Sequence, residues 1–162
     1  MPWDVLLVRL PLSVTAVSEL PLGYVFAPFG ARDSVVRDLE SACARRSCAI
    51  EWMSPSFGVL RTEDFVIELE LVSAARVLLH VQGASDALEV LDAMASALGA
   101  RAVDCETDRV VDLDDRVTAS SGLTSWQERK AAEVATDRAS QSLLDDGAEV
   151  ITMHAGPKSP RN

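Results

Sequence analysis

The chain contains few of the residues on which catalysis and metal binding most often depend. Its 162 residues include two histidines and three cysteines, and no two of the cysteines have the CxxC spacing of a zinc or redox pair. A nucleophilic triad needs a histidine base, which here is His80 or His154. His154 lies near the end of the chain, and His80 lies in an apolar run typical of a buried strand. We therefore expect a binding protein rather than an enzyme, with no metal and no cofactor.

Long apolar runs and clustered glycines are also absent. The apolar segments, such as residues 5–8 and 77–81, reach strand length but not the roughly 20 residues of a membrane span. The eight glycines are scattered singly, which argues against a phosphate-binding loop. The N-terminus lacks the basic region and the long apolar region of a signal peptide. We expect a soluble, cytoplasmic protein with no membrane partner.

Positive charge is scarce relative to negative charge. The chain has 15 lysines and arginines against 25 acids, for a net charge of −10. Residues 1–115 hold 19 acids and 9 bases, and the remainder holds 6 of each, so the whole excess lies in the first part. Nucleic-acid binding needs clustered lysine and arginine to displace counterions. We expect no nucleic-acid partner.

The apolar periodicity predicts both strands and helices. Strands are predicted at residues 3–10, 49–53, 57–61, 65–71 and 77–82, with one or two more within residues 102–113. One helix is predicted with Asp33 as its N-cap, and a second with Asp86 as N-cap, Glu89 in a capping-box position and Gly99 as C-cap. The connection between residues 11 and 32 is predicted to be irregular and packed onto the body. A third helix is predicted around Trp126, with Ser125 and Glu128 as a second capping box.

This order of elements predicts an α+β fold. The expected architecture is a two-layer sandwich, with an antiparallel or mixed sheet of five to six strands and two helices on one face, plus a C-terminal helix. Residues 1–115 are predicted to form an acidic α+β core domain. Residues 116–162 are predicted to contain the C-terminal helix, a short strand at 149–153 and a loose tail.

The acidic residues suggest candidate binding positions. Residues 104–115 (DCETDRVVDLDD) form the densest acidic segment, but they lack the central glycine and terminal glutamate of a calcium-binding EF-hand loop. A second candidate patch lies on the solvent face of the strand at 65–71. A tryptophan in the third helix is either a partner anchor or a residue that packs back onto the domain. The predicted partner-binding residues are Glu68, Glu70, Asp104, Glu106, Asp108, Asp112, Asp114, Asp115 and Trp126.

Five segments of the chain are similar to segments of other proteins. They are WDVLLVRLP (residues 3–11), WMSPSFGVL (52–60), FVIELEL (65–71), LLHVQG (78–83) and ALGARAVDCET (97–107). In these segments the chain resembles an uncharacterised family of small bacterial α+β proteins, over about residues 1–115. The resemblance implies a shared fold, and it transfers no catalytic residue because the family has no established activity.

Three hypotheses for the function follow. The first is an inhibitory protein that neutralises a basic protein partner, such as an immunity protein against a bacterial toxin, because an acidic surface steers a basic partner and covers its site. The second is a small enzyme of unfamiliar type that uses His80 with Glu68 or Glu70. The third is a structural protein that associates with a second copy of itself through the Trp126 helix.

Overall fold

The computed structural model describes residues 2–83, 86–115, 119, 123–124, 126–133 and 135–136. They form an α+β fold with one seven-stranded antiparallel sheet, one strand more than the upper limit predicted. The elements, in chain order, are β1 (Trp3–Val8), α1 (Arg32–Ala44), β2 (Ile50–Trp52), β3 (Phe57–Arg61), β4 (Phe65–Ser73), β5 (Arg76–Gly83), α2 (Ala87–Leu98), β6 (Arg101–Asp104) and β7 (Arg109–Val111).

The first strand of the chain lies inside the sheet rather than at its edge. The strand order is β2-β3-β4-β5-β1-β6-β7, so β1 pairs with β5 on one side and with β6 on the other. Trp3 lies opposite Val81 in β5, and Val8 lies opposite Arg101 in β6. The apolar run of β1 suits this position because a central strand has both neighbours to pair with and is largely buried.

Alternation along the strands separates two faces of the sheet. One face carries the fully buried side chains, such as Val5, Leu7, Ile67 and Leu79, and both helices pack on this face, as predicted. From α1 the core receives Leu39 and Cys43, and from α2 it receives Leu91 and Met94, among others. We call this side the helix face and the opposite side the second face.

The ends of the helices agree only in part with the sequence. The N-cap predicted at Asp33 is wrong: α1 begins at Arg32 after Ala31, whose carbonyl accepts the amides of Ser34 and Val35. A backbone carbonyl therefore starts this helix without a side-chain cap.

The second helix has both of its predicted cap residues. Asp86 is its N-cap residue and Gly99 is its C-cap, the latter with a left-handed φ of 57°. The capping box predicted between Asp86 and Glu89 is wrong, because among the described residues the Asp86 side chain makes no capping hydrogen bond. Glu89 instead accepts a hydrogen bond from Arg46 at 3.0 Å.

The irregular connection after β1 covers part of the second face. Phe26, Leu20 and Val17 pack against a small cluster formed by Val8, Leu10 and Val103. Arginine side chains hold the connection in place by donating to its carbonyls: Arg9 to Pro28 at 2.8 Å and Arg101 to Pro11 at 2.7 Å. The connection thus covers the second face over the C-terminal end of β1 and over β6, whereas the side chains of Asp4 in β1 and of Glu51 in β2 remain accessible on that face.

The chain divides into two compact units, Met1–Gln127 and Glu128–Asn162. In the first unit, Ala119, Leu123 and Trp126 are buried in the main core. Residues 126–133 and 135–136 are helical, which places the predicted third helix. In the second unit, Lys130 forms an ion pair with Glu133 at 2.9 Å. The predicted strand at 149–153, the tail and Ser125 lie outside the described residues.

Nowhere in the described part of the chain is there a helix long and apolar enough to cross a bilayer.

Candidate partner-binding surface

A row of side chains, all polar except the buried Val59, crosses the open part of the second face. The strand registers place Glu51 opposite Val59, Val59 opposite Glu68, Glu68 opposite His80, and His80 opposite Asp4. Residues directly opposite each other share a face of the sheet. With strands about 4.8 Å apart, the row from Glu51 to Asp4 spans about 19 Å.

A fourth carboxylate lies beside this row. Glu70 follows Glu68 by two residues in β4, on the same face and about 7 Å along the strand. We define the acidic face as Asp4, Glu51, Glu68 and Glu70. It extends over β1, β2 and β4, and the intervening β5 contributes His80 to the same row.

His80 and Asp4 form the one short polar contact within the row. The ring Nδ1 of His80 lies 2.7 Å from Oδ1 of Asp4, close enough for a hydrogen bond in which the ring nitrogen donates to the carboxylate. This bond fixes the imidazole and leaves its Nε2 for another partner. The His80 side chain is half-buried and that of Asp4 is half-exposed.

The remaining carboxylates of the acidic face have no cationic partner in the described part of the chain. The side chains of Glu51, Glu68 and Glu70 form no hydrogen bond or ion pair with any of those residues. The guanidinium groups of Arg9 and Arg101 donate hydrogen bonds to backbone carbonyls rather than to these carboxylates. Arg61 lies on the second face opposite Val66. The local charge is therefore negative across most of the open face.

Cys105 lies at the β1 end of the row. Its amide donates to the carbonyl of Asp4 at 3.0 Å. Partial burial, with the charges of Asp4 and Asp104, raises the pKa of the Cys105 thiol to about 11. The thiol is therefore protonated at neutral pH, and it is not an activated nucleophile. No group of three or more His, Cys, Asp and Glu side chains among the described residues is arranged to hold a metal ion.

The predicted binding residues lie in several different parts of the structure. Glu68 and Glu70 lie on the acidic face, as their strand alternation predicts. Glu106 and Asp108 lie in the turn between β6 and β7, which follows Cys105 directly, so this turn continues the row beyond β1. The carboxylate of Asp108 accepts the amide of Ser18 at 2.8 Å, so it also anchors the connection over the second face.

The other predicted residues lie away from the acidic face. Asp104 is 7% exposed, and its Oδ1 accepts the amides of Glu106 and Thr107. Asp112 and Asp114 line a cavity of about 410 Å³ together with Asp92 and Ser96 of α2, on the helix side of the sheet. Asp115 follows them, and its carbonyl accepts the amide of Ala119.

Trp126 belongs to the core. It is 6% exposed and packs in the main apolar cluster, which agrees with the packing interpretation of this residue. Asp4 and Glu51, which complete the acidic face, were not among the predicted binding residues. The alternation of buried and partly exposed positions in β1 is the signal that points to Asp4.

No protein family, curated protein or solved structure matches this chain.

Proposed function

We propose that this chain is an acidic binding protein that neutralises a basic protein partner, as an immunity protein does for a toxin, and that the acidic face is its binding surface. The observation that carries the proposal is the row of carboxylates on an open sheet face. Glu51, Glu68 and Glu70 lie there without a cationic partner among the residues that the structure describes. A basic partner supplies the missing cations.

The physical argument rests on where the charge lies. Carboxylates on a rigid sheet are held at fixed spacing, so a partner's arginines and lysines meet them with little reorganisation. The unpaired charges also attract a basic partner from a distance and raise its association rate. This attraction weakens as ionic strength rises, because the Debye length falls to about 8 Å at physiological salt.

The binding surface can be tested with an oligo-arginine peptide as the probe. The double substitution Glu68→Gln and Glu70→Gln is expected to weaken binding about tenfold at low ionic strength, since each exposed ion pair contributes up to about 1 kcal/mol. Asp38→Asn with Asp114→Asn is the matched control, because it removes the same charge from two exposed positions outside the acidic face. Isothermal titration calorimetry at low and physiological salt measures both variants.

The two variants separate a local surface from net charge alone. An equal loss for both pairs would show that the peptide senses only the total charge, and the acidic face would then be wrong as the site. The inhibitory role needs a functional test. If the gene next to this one encodes a basic toxin domain, co-expression of the two is expected to restore growth. The absence of such a gene, or a failure to restore growth, contradicts the role.

A second candidate, a small hydrolytic enzyme, is favoured by the contact between His80 and Asp4. A carboxylate that orients an imidazole is the arrangement of a general base. If this candidate holds, wild-type protein hydrolyses an activated ester such as p-nitrophenyl acetate, and His80→Gln loses about 100-fold in rate with an unchanged melting temperature. Equal rates for the two proteins would eliminate it.

The hypothesis of self-association through the Trp126 helix depended on an exposed tryptophan. The tryptophan that suggested it is buried in the core of its own unit.

A further inference from the structure

The last turn of α1 brings two cysteines together. The amide of Cys48 donates to the carbonyl of Cys43 at 3.1 Å, and the amide of Ser47 donates to the carbonyl of Ala44 at 3.1 Å. Ser47 has a left-handed φ of 58°. This pattern is a Schellman motif, which has a 6→1 and a 5→2 hydrogen bond. The two residues joined by the 6→1 bond frequently pack their side chains together. Here those two residues are Cys43 and Cys48, and the Cys48 thiol lies 3.3 Å from the Cys43 carbonyl oxygen.

The two thiols differ in their access to solvent. Cys43 is completely buried in the core. Cys48 is half-buried and lines a surface cavity of about 340 Å³. A small molecule can therefore reach Cys48, whereas Cys43 can be reached only by the neighbouring sulfur.

We propose that Cys43 and Cys48 form a thiol–disulfide modification site that reacts with small cationic or neutral disulfides and closes into an intramolecular disulfide. The Cys48 thiolate attacks one sulfur of the small disulfide, which forms a mixed disulfide and releases one thiolate. The Cys43 sulfur then attacks the Cys48 sulfur, loses its proton and releases the second thiolate. The two cysteines are oxidised by two electrons, the small disulfide is reduced to two thiols, and the two cysteine protons pass to the leaving thiolates.

The charge of the cavity determines which disulfides enter. Its lining includes the carboxylates of Asp64, Asp86 and Glu89, and the single guanidinium of Arg46. Arg46 is itself paired with Glu89 at 3.0 Å. The excess of negative charge favours cystamine, which is cationic, over glutathione disulfide, which is anionic.

Burial makes the reaction slow at neutral pH and faster in alkali. Burial, and then the adjacent Cys48 thiol, raises the pKa of Cys43 to about 12, and burial also raises the pKa of Cys48. The thiolate is the attacking form, so the rate follows its fraction. Between pH 7 and pH 8 the rate is expected to rise about tenfold, because both thiols are still mostly protonated there.

The test uses the full chain with Cys105→Ser, which removes the exposed third thiol. After treatment with cystamine, mass spectrometry is expected to show a loss of two hydrogens, no retained adduct and no alkylation of either cysteine. Glutathione disulfide is expected to react at least about tenfold more slowly at low ionic strength. Equal rates for the two reagents would overturn the proposed selectivity.

Two variants in the same background identify each role. Cys43→Ala is expected to retain the cystamine adduct on Cys48, because no second thiol displaces it. Cys48→Ser is expected to leave Cys43 unreacted while the protein is folded, which circular dichroism verifies. A stable cystamine adduct with both cysteines present, or no reaction in the folded protein although the unfolded chain oxidises, would overturn the modification site.

Discussion

Ser47 holds a backbone conformation that glycine adopts more readily. Its φ of 58° brings Cβ close to the following carbonyl, at a cost of about 1 kcal/mol. Ser47→Gly is expected to raise the free energy of unfolding by about 0.5 kcal/mol, since the relief of this strain exceeds the added entropy of the unfolded chain. Urea denaturation measures the change.

Ser41→Gly is the control for this prediction. Ser41 lies within α1, where glycine is destabilising by up to about 1 kcal/mol. The two substitutions are therefore expected to have opposite signs. A loss of stability from both would contradict the strain assigned to Ser47.

Two neighbouring acidic residues, Asp104 and Glu106, have different roles in the fold. Asp104 and Glu106 look alike in sequence, as acids two residues apart in one acidic segment. The fold uses Asp104 to hold the turn after β6, where its carboxylate accepts the amide of Glu106 at 2.8 Å. Aspartate favours such turns because its short side chain reaches nearby backbone amides. The chain alone does not distinguish an acid that faces solvent from one that caps a turn.

The β4–β5 pair depends on a glycine at its end. Gly83 lies opposite Phe65, has a φ of 112°, and a Cβ at this position would lie 2.7 Å from the Cα of Phe65. Gly83→Ala is expected to lower the free energy of unfolding by about 3 kcal/mol, because it adds a backbone clash to the conformational strain. Chemical denaturation followed by circular dichroism measures the loss.

Gly23 gives the matched comparison within the chain. It also has a positive φ, of 81°, but a Cβ there meets nothing within 4 Å. Gly23→Ala is therefore expected to cost only the strain, about 1 kcal/mol. If the two alanine variants lose the same stability, the clash between residue 83 and the start of β4 contributes nothing.

Elements with strong local signals were predicted well. Alternation identified β4, an apolar run identified β5, and Gly99 marked the end of α2. The start of α1 was misplaced because a backbone carbonyl, that of Ala31, receives the first amides. The left-handed residue after α1 was missed because serine occupies a position where glycine is the usual signal.

The acidic face depends on the arrangement of the whole sheet. Glu68 and Glu70 could be assigned to one strand face from alternation alone. Their connection to Asp4 depends on β1 lying beside β5, and on a register that places Asp4 opposite His80. Such pairing joins residues more than seventy positions apart, and local sequence patterns carry no information about it. The same register gives His80 its hydrogen bond to Asp4, while Glu68, one of the two carboxylates predicted beside His80, lies opposite it in β4.

The position of β1 has a consequence for the order in which the protein folds. This strand is made well before its partners, which are Val77–Val81 in β5 and residues 101–104 in β6. During synthesis its apolar side chains therefore emerge long before any strand that can pair with them. Closing such distant contacts is slow, because the entropy of the intervening chain is lost before the pairing contributes. Within the sheet, β1 can be paired on both sides only after β6 has left the ribosome.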